Sequence, residues 1–209
     1  MRLLIMLIFL FSVLSIAGEV PEFKSGDLIF QGAGTGSFSK AITDATSQND
    51  SISFVHVGII EAGDTDLYVV EASPENGVRK IQLVEFISES QKTKSGPLVI
   101  VKRLKFDFPV EAMLKRVYSH LNEPYDWWYL PDNGKMYCSE LVYETYLDTD
   151  GDHIFQSQPM NFRDNRGEIP EFWESLFNKL GMEVPEGVLG TNPNDLFRDD
   201  NLIEIYRFF

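Results

Sequence analysis

The sequence is poor in cysteine, in positive charge and in long apolar runs. Its 209 residues contain a single cysteine, so no internal disulfide can form. Lys and Arg number 18 against 32 Asp and Glu, and the net charge of −14 argues against a nucleic-acid partner because phosphates would be repelled. The chain has no internal repeat, low-complexity tract or long linker, which indicates one compact domain.

The longest apolar run lies at the N-terminus. Residues 3–16 are apolar apart from two serines, but this stretch is shorter than the roughly 20 residues of a transmembrane helix. It follows Arg2 and ends in small residues up to Ala17, which is the pattern of a secretory signal peptide. We therefore predict a signal peptide over residues 1–17, one domain over 18–209, and export to the periplasm or the extracellular space. An uncleaved membrane anchor is the alternative.

The remaining sequence alternates between strand and helix patterns. Apolar, β-branched segments separated by turns predict an antiparallel sheet with strands at residues 26–31, 55–61, 67–72, 77–83, 98–104 and 202–208. Apolar residues at helical spacing predict helices at residues 37–46, 109–123, 139–147 and 170–180. The fold class is therefore α+β, with helices packed on a sheet.

His56 is an unusual residue for the strand in which it is predicted to lie. It stands between Val55 and Val57, and burying an imidazole costs free energy unless it is hydrogen-bonded. Strand alternation predicts that His56 points to the same side as Phe54 and Gly58, and Gly58 leaves room for another group to approach. A hydrogen-bonded core histidine is the alternative to a catalytic one.

Glu71 is a second polar residue in an apolar strand. If residues 55–61 and 67–72 form a hairpin, Glu71 can lie beside His56. A carboxylate bound to one ring nitrogen fixes the tautomer and supports the imidazolium, while the other nitrogen can take a proton from a thiol.

Cys138, the single cysteine, stands where a loop is predicted to run into the helix at 139–147. The N–H groups and the positive end of a helix favour a thiolate, and a nearby imidazolium would favour it further. A small, inert buried hydrophobe is the alternative. Cys138, His56 and Glu71 together predict nucleophilic catalysis.

The acidic run at residues 148–152 resembles the start of a calcium-binding loop. However, Pro159 stands at the twelfth position, where such a loop requires glutamate, so we predict a solvated turn. His153 lies in this turn, and His120 is predicted to be a solvated cation at a helix C-terminus. No metal and no cofactor are expected.

Several segments of the chain together resemble the circularly permuted NlpC-like cysteine hydrolases, in particular the YiiX-like branch of the papain-fold superfamily. In that group the histidine and the acid precede the cysteine, as they do here. The resemblance covers about residues 24–147 and rests on Gly26-Asp27-Leu28-Ile29-Phe30, His56-Val57-Gly58-Ile59, Val70-Glu71-Ala72, Tyr125-Asp126 and Tyr137-Cys138-Ser139-Glu140-Leu141-Val142.

The resemblance implies a circularly permuted papain-like (NlpC-type) fold, in which the nucleophile helix packs on an antiparallel, barrel-like sheet. It implies hydrolysis or transfer at an amide or ester through an acyl-enzyme. Carried over to this sequence, Cys138 is the nucleophile, His56 the base and Glu71 the orienting acid. Tyr125 matches a tyrosine near the cleft and is expected to bind the substrate or the developing oxyanion, with a packed turn residue as the alternative.

The substrate is expected to be a small peptide, amide or acyl compound. Export favours an amidase or peptidase that acts on cell-wall peptides; a lipid-directed acyltransferase or esterase and a non-catalytic binding module are the alternatives. The aromatic tract at residues 126–129 precedes Cys138, and we expect Trp127 to line the acyl side of the site. A core position for Trp127 is the competing interpretation.

Overall fold

The computed structural model describes residues 21–48 and 51–209. The predicted signal peptide at 1–17 lies outside these residues and stays a prediction. In the part of the chain that is described, no helix has the length and the apolar character needed to cross a membrane.

A six-stranded antiparallel sheet organises the described chain, with strand order β4-β3-β2-β1-β5-β8. A two-stranded sheet of β6 and β7 lies apart from it. The strands are β1 Leu28–Gly32, β2 Phe54–Ala62, β3 Leu67–Ser73, β4 Gly77–Gln82, β5 Val99–Leu104, β6 Gln158–Pro159, β7 Leu189–Gly190 and β8 Leu202–Arg207.

The large sheet is open, which corrects the expectation of a barrel-like sheet. Closing a barrel requires its two edge strands to pair with each other. Here β4 pairs only with β3, and β8 pairs only with β5, so within the described residues both edges stay separate. After β4 the chain turns directly into a helix and leaves that edge uncovered by another strand.

Four of the six helices in the described ranges lie where the sequence pattern predicts them. The helices are α1 Ser37–Thr46, α2 Leu83–Glu89, α3 Val110–Ser119, α4 Cys138–Thr145, α5 Glu171–Leu180 and α6 Pro193–Arg198. Pro109 and Pro170 precede α3 and α5, and Gly181 ends α5 in the left-handed conformation (φ 72°) that glycine adopts without strain. The short helices α2 and α6 were not predicted.

Apolar side chains pack on both faces of the large sheet. The larger cluster joins one face to α4 and α6 and includes Phe30, Val57 and Cys138. The smaller cluster covers the other face and includes Ile29 and Phe86. Of the predicted site residues, Cys138 belongs to the larger cluster, while His56 lies in β2 and Glu71 in β3.

Candidate active site

Cys138 is the first residue of α4, as predicted, and it is buried in the larger apolar cluster. The helix begins there because Tyr137 has an extended backbone and Glu140 caps the first turn: the Glu140 Oε2 atom accepts the Tyr137 N–H at 3.2 Å. The N-terminus of an α-helix carries N–H groups without intrahelical partners and a positive partial charge. The thiol therefore lies where a thiolate is stabilised.

Glu140 itself is buried. Burial raises the pKa of Glu140 to about 8, although the hydrogen bond from Tyr137 works in the opposite direction. The carboxyl group is therefore mostly neutral at pH 7.

His56 lies on β2, but it does not share a face with Phe54 as strand alternation predicts. A β-bulge interrupts the pairing of β1 with β2: Gln31 is opposite His56, and the next residue, Gly32, is opposite Phe54. A bulge inserts one unpaired residue and reverses the side on which the following side chains point. Phe54 thus packs in the larger cluster, whereas the His56 ring stacks on Phe86 of the smaller one, with centroids 5.7 Å apart.

Gly58 makes space beside His56, as expected, but a side chain of the protein fills that space. A Cβ atom at position 58 would lie 2.4 Å from Val69 Cγ1 and 3.2 Å from the Phe86 ring. The glycine therefore allows Phe86 to approach the sheet and hold the imidazole ring.

Glu71 lies beside His56 in the hairpin of β2 and β3, as the sequence predicts. Its Oε2 atom is hydrogen-bonded to His56 Nε2, and its Oε1 atom accepts a hydrogen bond from Arg79 Nε at 2.8 Å and lies 2.7 Å from Arg79 Nη2 in an ion pair. Burial disfavours the charge on Glu71, but the charge on His56 and then that on Arg79 outweigh it and lower the pKa of Glu71. The carboxylate is therefore ionised and fixed by two cations.

The environment of His56 keeps its imidazole protonated. Burial works to lower the pKa, but the charge of Glu71, together with hydrogen bonding to Cys138 and Glu71, raises the pKa of His56 to about 10. Glu71 occupies Nε2, which leaves Nδ1 for the thiol. The structure thus brings together Cys138, His56 and Glu71, and this arrangement is suited to a thiolate–imidazolium pair.

Arg79 is a site residue that the sequence reasoning missed. It lies directly opposite Glu71 in the β3–β4 hairpin and also binds Glu89 at 2.7 Å. A signal was available, because a hairpin in which Ser73 pairs with Gly77 necessarily places residue 71 opposite residue 79.

Tyr125 is buried beside Cys138 and lines the same cavity. Burial raises the pKa of its phenol well above the usual value, so the group stays protonated and can donate a hydrogen bond. The loop that follows is anchored by Asp126, whose carboxylate accepts the N–H groups of Trp128 at 3.0 Å and Leu130 at 2.9 Å. Tyr129, in this loop, also lines the cavity.

Trp127 is partly buried and does not line this cavity. Its indole packs on Tyr125 (centroids 4.8 Å apart) and on Phe38 of α1 (5.5 Å). Trp127 therefore supports Tyr125 from behind, and its contact with a substrate stays a prediction.

Two recesses adjoin the pair of Cys138 and His56: we call them the neutral cavity, which Cys138 lines, and the charged cleft, which His56 lines. The neutral cavity, of about 60 Å³, is lined by Cys138, Tyr125, Tyr129, Ser139 and twelve further residues, and contains no Asp, Glu, Lys, Arg or His; the twelve are Ile42, Ala45, Thr46, Val55, Tyr137, Met160, Asn161, Phe162, Trp173, Thr191, Asn192 and Pro193. The charged cleft, of about 390 Å³, is lined by Gln31, His56, Glu71, Ser73, Pro74, Glu75, Asn76, Arg79 and Glu89.

The other two histidines have separate partners. His120 Nδ1 lies 2.9 Å from Glu123 Oε2 at the end of α3, and the His153 ring stacks on Tyr143 with centroids 3.9 Å apart. The acidic turn is held by hydrogen bonds within the turn, because the Asp148 side-chain oxygen Oδ1 accepts the backbone N–H groups of Asp150 and Asp152.

Comparison with known proteins identifies a family that this chain matches over most of its length. Residues 22–206 match the model of a family described as permuted papain-like amidase enzymes, YaeF/YiiX, C92 family. The chain is 28% identical over 192 residues to YiiX of Escherichia coli K12, a protein described as uncharacterized; the match covers 88% of this chain and 89% of YiiX.

A solved structure shares the fold. The crystal structure of yiiX from Escherichia coli O157:H7, described as a metalloprotein, superimposes with a TM-score of 0.72 at 23% identity, covering 88% of this chain and 97% of that one. Over residues 21–48 and 51–209 of the present chain, no group of three or more His, Cys, Asp or Glu is placed to hold a metal ion. The described residues therefore do not fit a metal site, and no catalytic step is derived through one.

Proposed function

The chain belongs to the permuted papain-like amidase family and is a cysteine hydrolase, and we propose that it is exported and cleaves an amide bond in cell-wall peptides. Cys138 acts as the nucleophile, His56 as the acid–base group and Glu71 as the orienting acid. The observation that carries this proposal is the hydrogen bond of His56 to Glu71, together with a thiol at a helix N-terminus that is close enough to His56 to raise the pKa of that residue.

Acylation begins from the thiolate–imidazolium pair. The Cys138 sulfur attacks the carbonyl carbon, the S–C bond forms, and the carbonyl π electrons move to the oxygen. When this intermediate collapses, the C–N bond breaks and the leaving nitrogen takes the proton of His56 Nδ1. The neutral phenol of Tyr125, beside Cys138, donates a hydrogen bond to the oxyanion.

Deacylation uses the same groups, but His56 now acts as a base instead of an acid. His56, now neutral, takes a proton from a water molecule whose oxygen attacks the thioester carbonyl. The C–S bond breaks, the carboxylic acid product leaves, and the thiolate–imidazolium pair is restored. Glu71 and Arg79 keep the imidazole in one orientation throughout.

The proposal is tested first by the reactivity of the thiol. Cys138 is the only cysteine, so iodoacetamide labelling reports on it alone. We expect rapid labelling at pH 6, where an ordinary thiol is slow, and much slower labelling of the His56→Ala variant. Equal, slow labelling of both proteins would contradict a thiolate–imidazolium pair.

The substrate is tested by intact mass after incubation with muropeptide amides and with acyl esters. An acyl-enzyme mass with a muropeptide amide, absent in Cys138→Ala, supports the amidase; accumulation only with long-chain esters supports the lipid-directed alternative. Export is tested by the mass of the protein recovered outside the cytoplasm, which should lack residues 1–17.

A further inference from the structure

The position of His56 determines which half of a substrate faces which recess, given the proposed roles of Cys138 and His56. His56 gives its proton to the leaving nitrogen, so the leaving group lies on the histidine side of the thiol. That side opens into the charged cleft, which His56 lines. The acyl half therefore points the other way, into the neutral cavity that Cys138 lines.

The neutral cavity is small for an acyl site. Its volume is about 60 Å³. Since a cavity of about 150 Å³ holds benzene and one of about 10–15 Å³ holds a single water, there is room for roughly three or four non-hydrogen atoms. The cavity cannot widen easily, because the Phe162 ring packs edge-to-face on Tyr129 and on Trp173, with ring centroids 5.8 Å and 5.2 Å apart.

The lining of the cavity offers no counter-ion to an anionic group. It contains no Lys, Arg or His, and the one side chain in it that can carry a charge is Cys138, which is negative as a thiolate. An acyl group that ends in a carboxylate would lose its hydration there without gaining a counter-ion.

We propose that the neutral cavity is the acyl subsite of this hydrolase, and that it takes a short, uncharged acyl group. The group extends roughly three or four non-hydrogen atoms beyond the carbonyl carbon. This inference rests on the proposed function. It excludes long fatty acyl chains and acyl groups that end in a carboxylate.

Three p-nitrophenyl esters with the same leaving group test the subsite: those of 3-methylbutanoic and octanoic acid, and the half-ester of propanedioic acid. The 3-methylbutanoyl and propanedioyl groups have nearly the same shape, but the second ends in a carboxylate. We expect kcat/KM for the 3-methylbutanoyl ester to exceed that for the half-ester by at least about tenfold, because the carboxylate would be buried without a counter-ion. The octanoyl ester should react at least about tenfold more slowly than the 3-methylbutanoyl ester.

A variant of a lining residue makes the test specific. Met160→Ala enlarges the cavity and should raise the octanoyl rate relative to the 3-methylbutanoyl rate. The matched control is Met182→Ala, since Met182 is also partly buried but lies outside the cavity, and it should leave that ratio unchanged.

The outcomes separate the two proposals. If intact mass shows no acyl-enzyme on Cys138 with any ester, the proposed function fails and this subsite fails with it. If an acyl-enzyme forms but the octanoyl ester reacts as fast as the 3-methylbutanoyl ester, only the subsite is wrong. A ratio of octanoyl to 3-methylbutanoyl rates that Met160→Ala and Met182→Ala change equally also overturns the subsite.

Discussion

The charged cleft and the neutral cavity differ in where they come from in the chain as well as in chemistry. The cleft is built from residues 31–89, mainly the β2–β3–β4 meander, whose register is local in sequence. The cavity combines α1 and β2 with the start of α4 and with segments at 160–162, 173 and 191–193. The acid–base apparatus is thus encoded locally, whereas the space for the substrate depends on contacts between distant parts of the chain.

The largest effect is expected when the thiol, which lines the neutral cavity, is removed. Cys138→Ala should lower turnover on a verified substrate by on the order of 10⁴–10⁶-fold, and His56→Ala nearly as much, because both steps need these groups. Steady-state kinetics give the rates, and a thermal melt within a few degrees of the wild type shows that the fold is intact. A Cys138→Ala enzyme with the wild-type rate would refute the covalent mechanism.

Removing the acid of the charged cleft should have a smaller effect. Glu71→Gln leaves the nucleophile and the base in place, so we expect a loss on the order of 10²–10⁴-fold. The charge of Glu71 raises the pKa of His56 to about 10, so the variant should titrate lower and the alkaline limb of kcat/KM should move to lower pH. NMR titration of His56 measures this shift directly.

The matched control for this prediction is Glu89→Gln. Glu89 binds Arg79 but does not contact His56, so the alkaline limb should stay close to that of the wild type. If the alkaline limb of kcat/KM is also unchanged in Glu71→Gln, Glu71 does not set the protonation of His56.

The next largest loss of activity is expected from removing the phenol hydroxyl of Tyr125, which lines the neutral cavity. Tyr125→Phe should lower kcat/KM about 10²-fold if the hydroxyl stabilises the oxyanion, with little change in the melting temperature. Tyr146→Phe provides the contrast: its hydroxyl donates to Gly26 O at 3.1 Å within the core, so this variant should lose about 1 kcal/mol of stability and keep its activity. If Tyr125→Phe behaves like Tyr146→Phe, Tyr125 is a packing residue.

Trp127 lies one layer behind the cavity, so its replacement should have a modest effect. Trp127→Ala is expected to raise KM several-fold, since the indole supports the Tyr125 ring from behind. The loss of stability should be below the roughly 3–5 kcal/mol of a fully buried tryptophan, because Trp127 is partly exposed. A large fall in melting temperature with an unchanged KM would assign Trp127 to the core alone.

The smallest expected effect is on stability and comes from Glu140. Its pKa in the folded protein, about 8, lies above the usual value of 4.5, so folding favours the protonated form. The stability due to this group is complete below pH 4.5 and is lost as the pH rises through about 8. Glu140→Gln keeps a neutral cap and should melt higher than the wild type at pH 9.

The control for Glu140→Gln is Glu174→Gln, an equal change of charge at an exposed position of α5. Thermal melts at pH 5, 7 and 9 separate the two. His56 contributes its own loss of stability toward pH 10, but this term is common to both variants and cancels in the difference. Parallel curves for the two variants would mean that Glu140 is ionised in the folded protein.

Much of this fold could be predicted because most of its strands and helices follow patterns that span only a few neighbouring residues. The six strands of the large sheet and helices α1, α3, α4 and α5 follow apolar periodicity, with Pro109, Pro170 and Gly181 marking helix ends. The β-bulge after Gln31 could not be predicted in this way, since alternation assumes an unbroken register, and so Phe54 was placed on the wrong side. Strand order and edge pairing, which leave the sheet open, likewise depend on long-range contacts.

The sequence by itself determined the chemical groups: one thiol at a helix start, one histidine and one acid in apolar strands that form a hairpin, and an aromatic tract before the cysteine. It did so because helix capping, strand periodicity and hairpin pairing act over a few residues. Only the tertiary structure decided that Arg79 and Phe86 hold the pair of His56 and Glu71, and that the chain after residue 160 closes a small neutral cavity on the thiol. Packing between residues distant in the chain depends on side-chain shape and on the whole fold, and no local pattern records it.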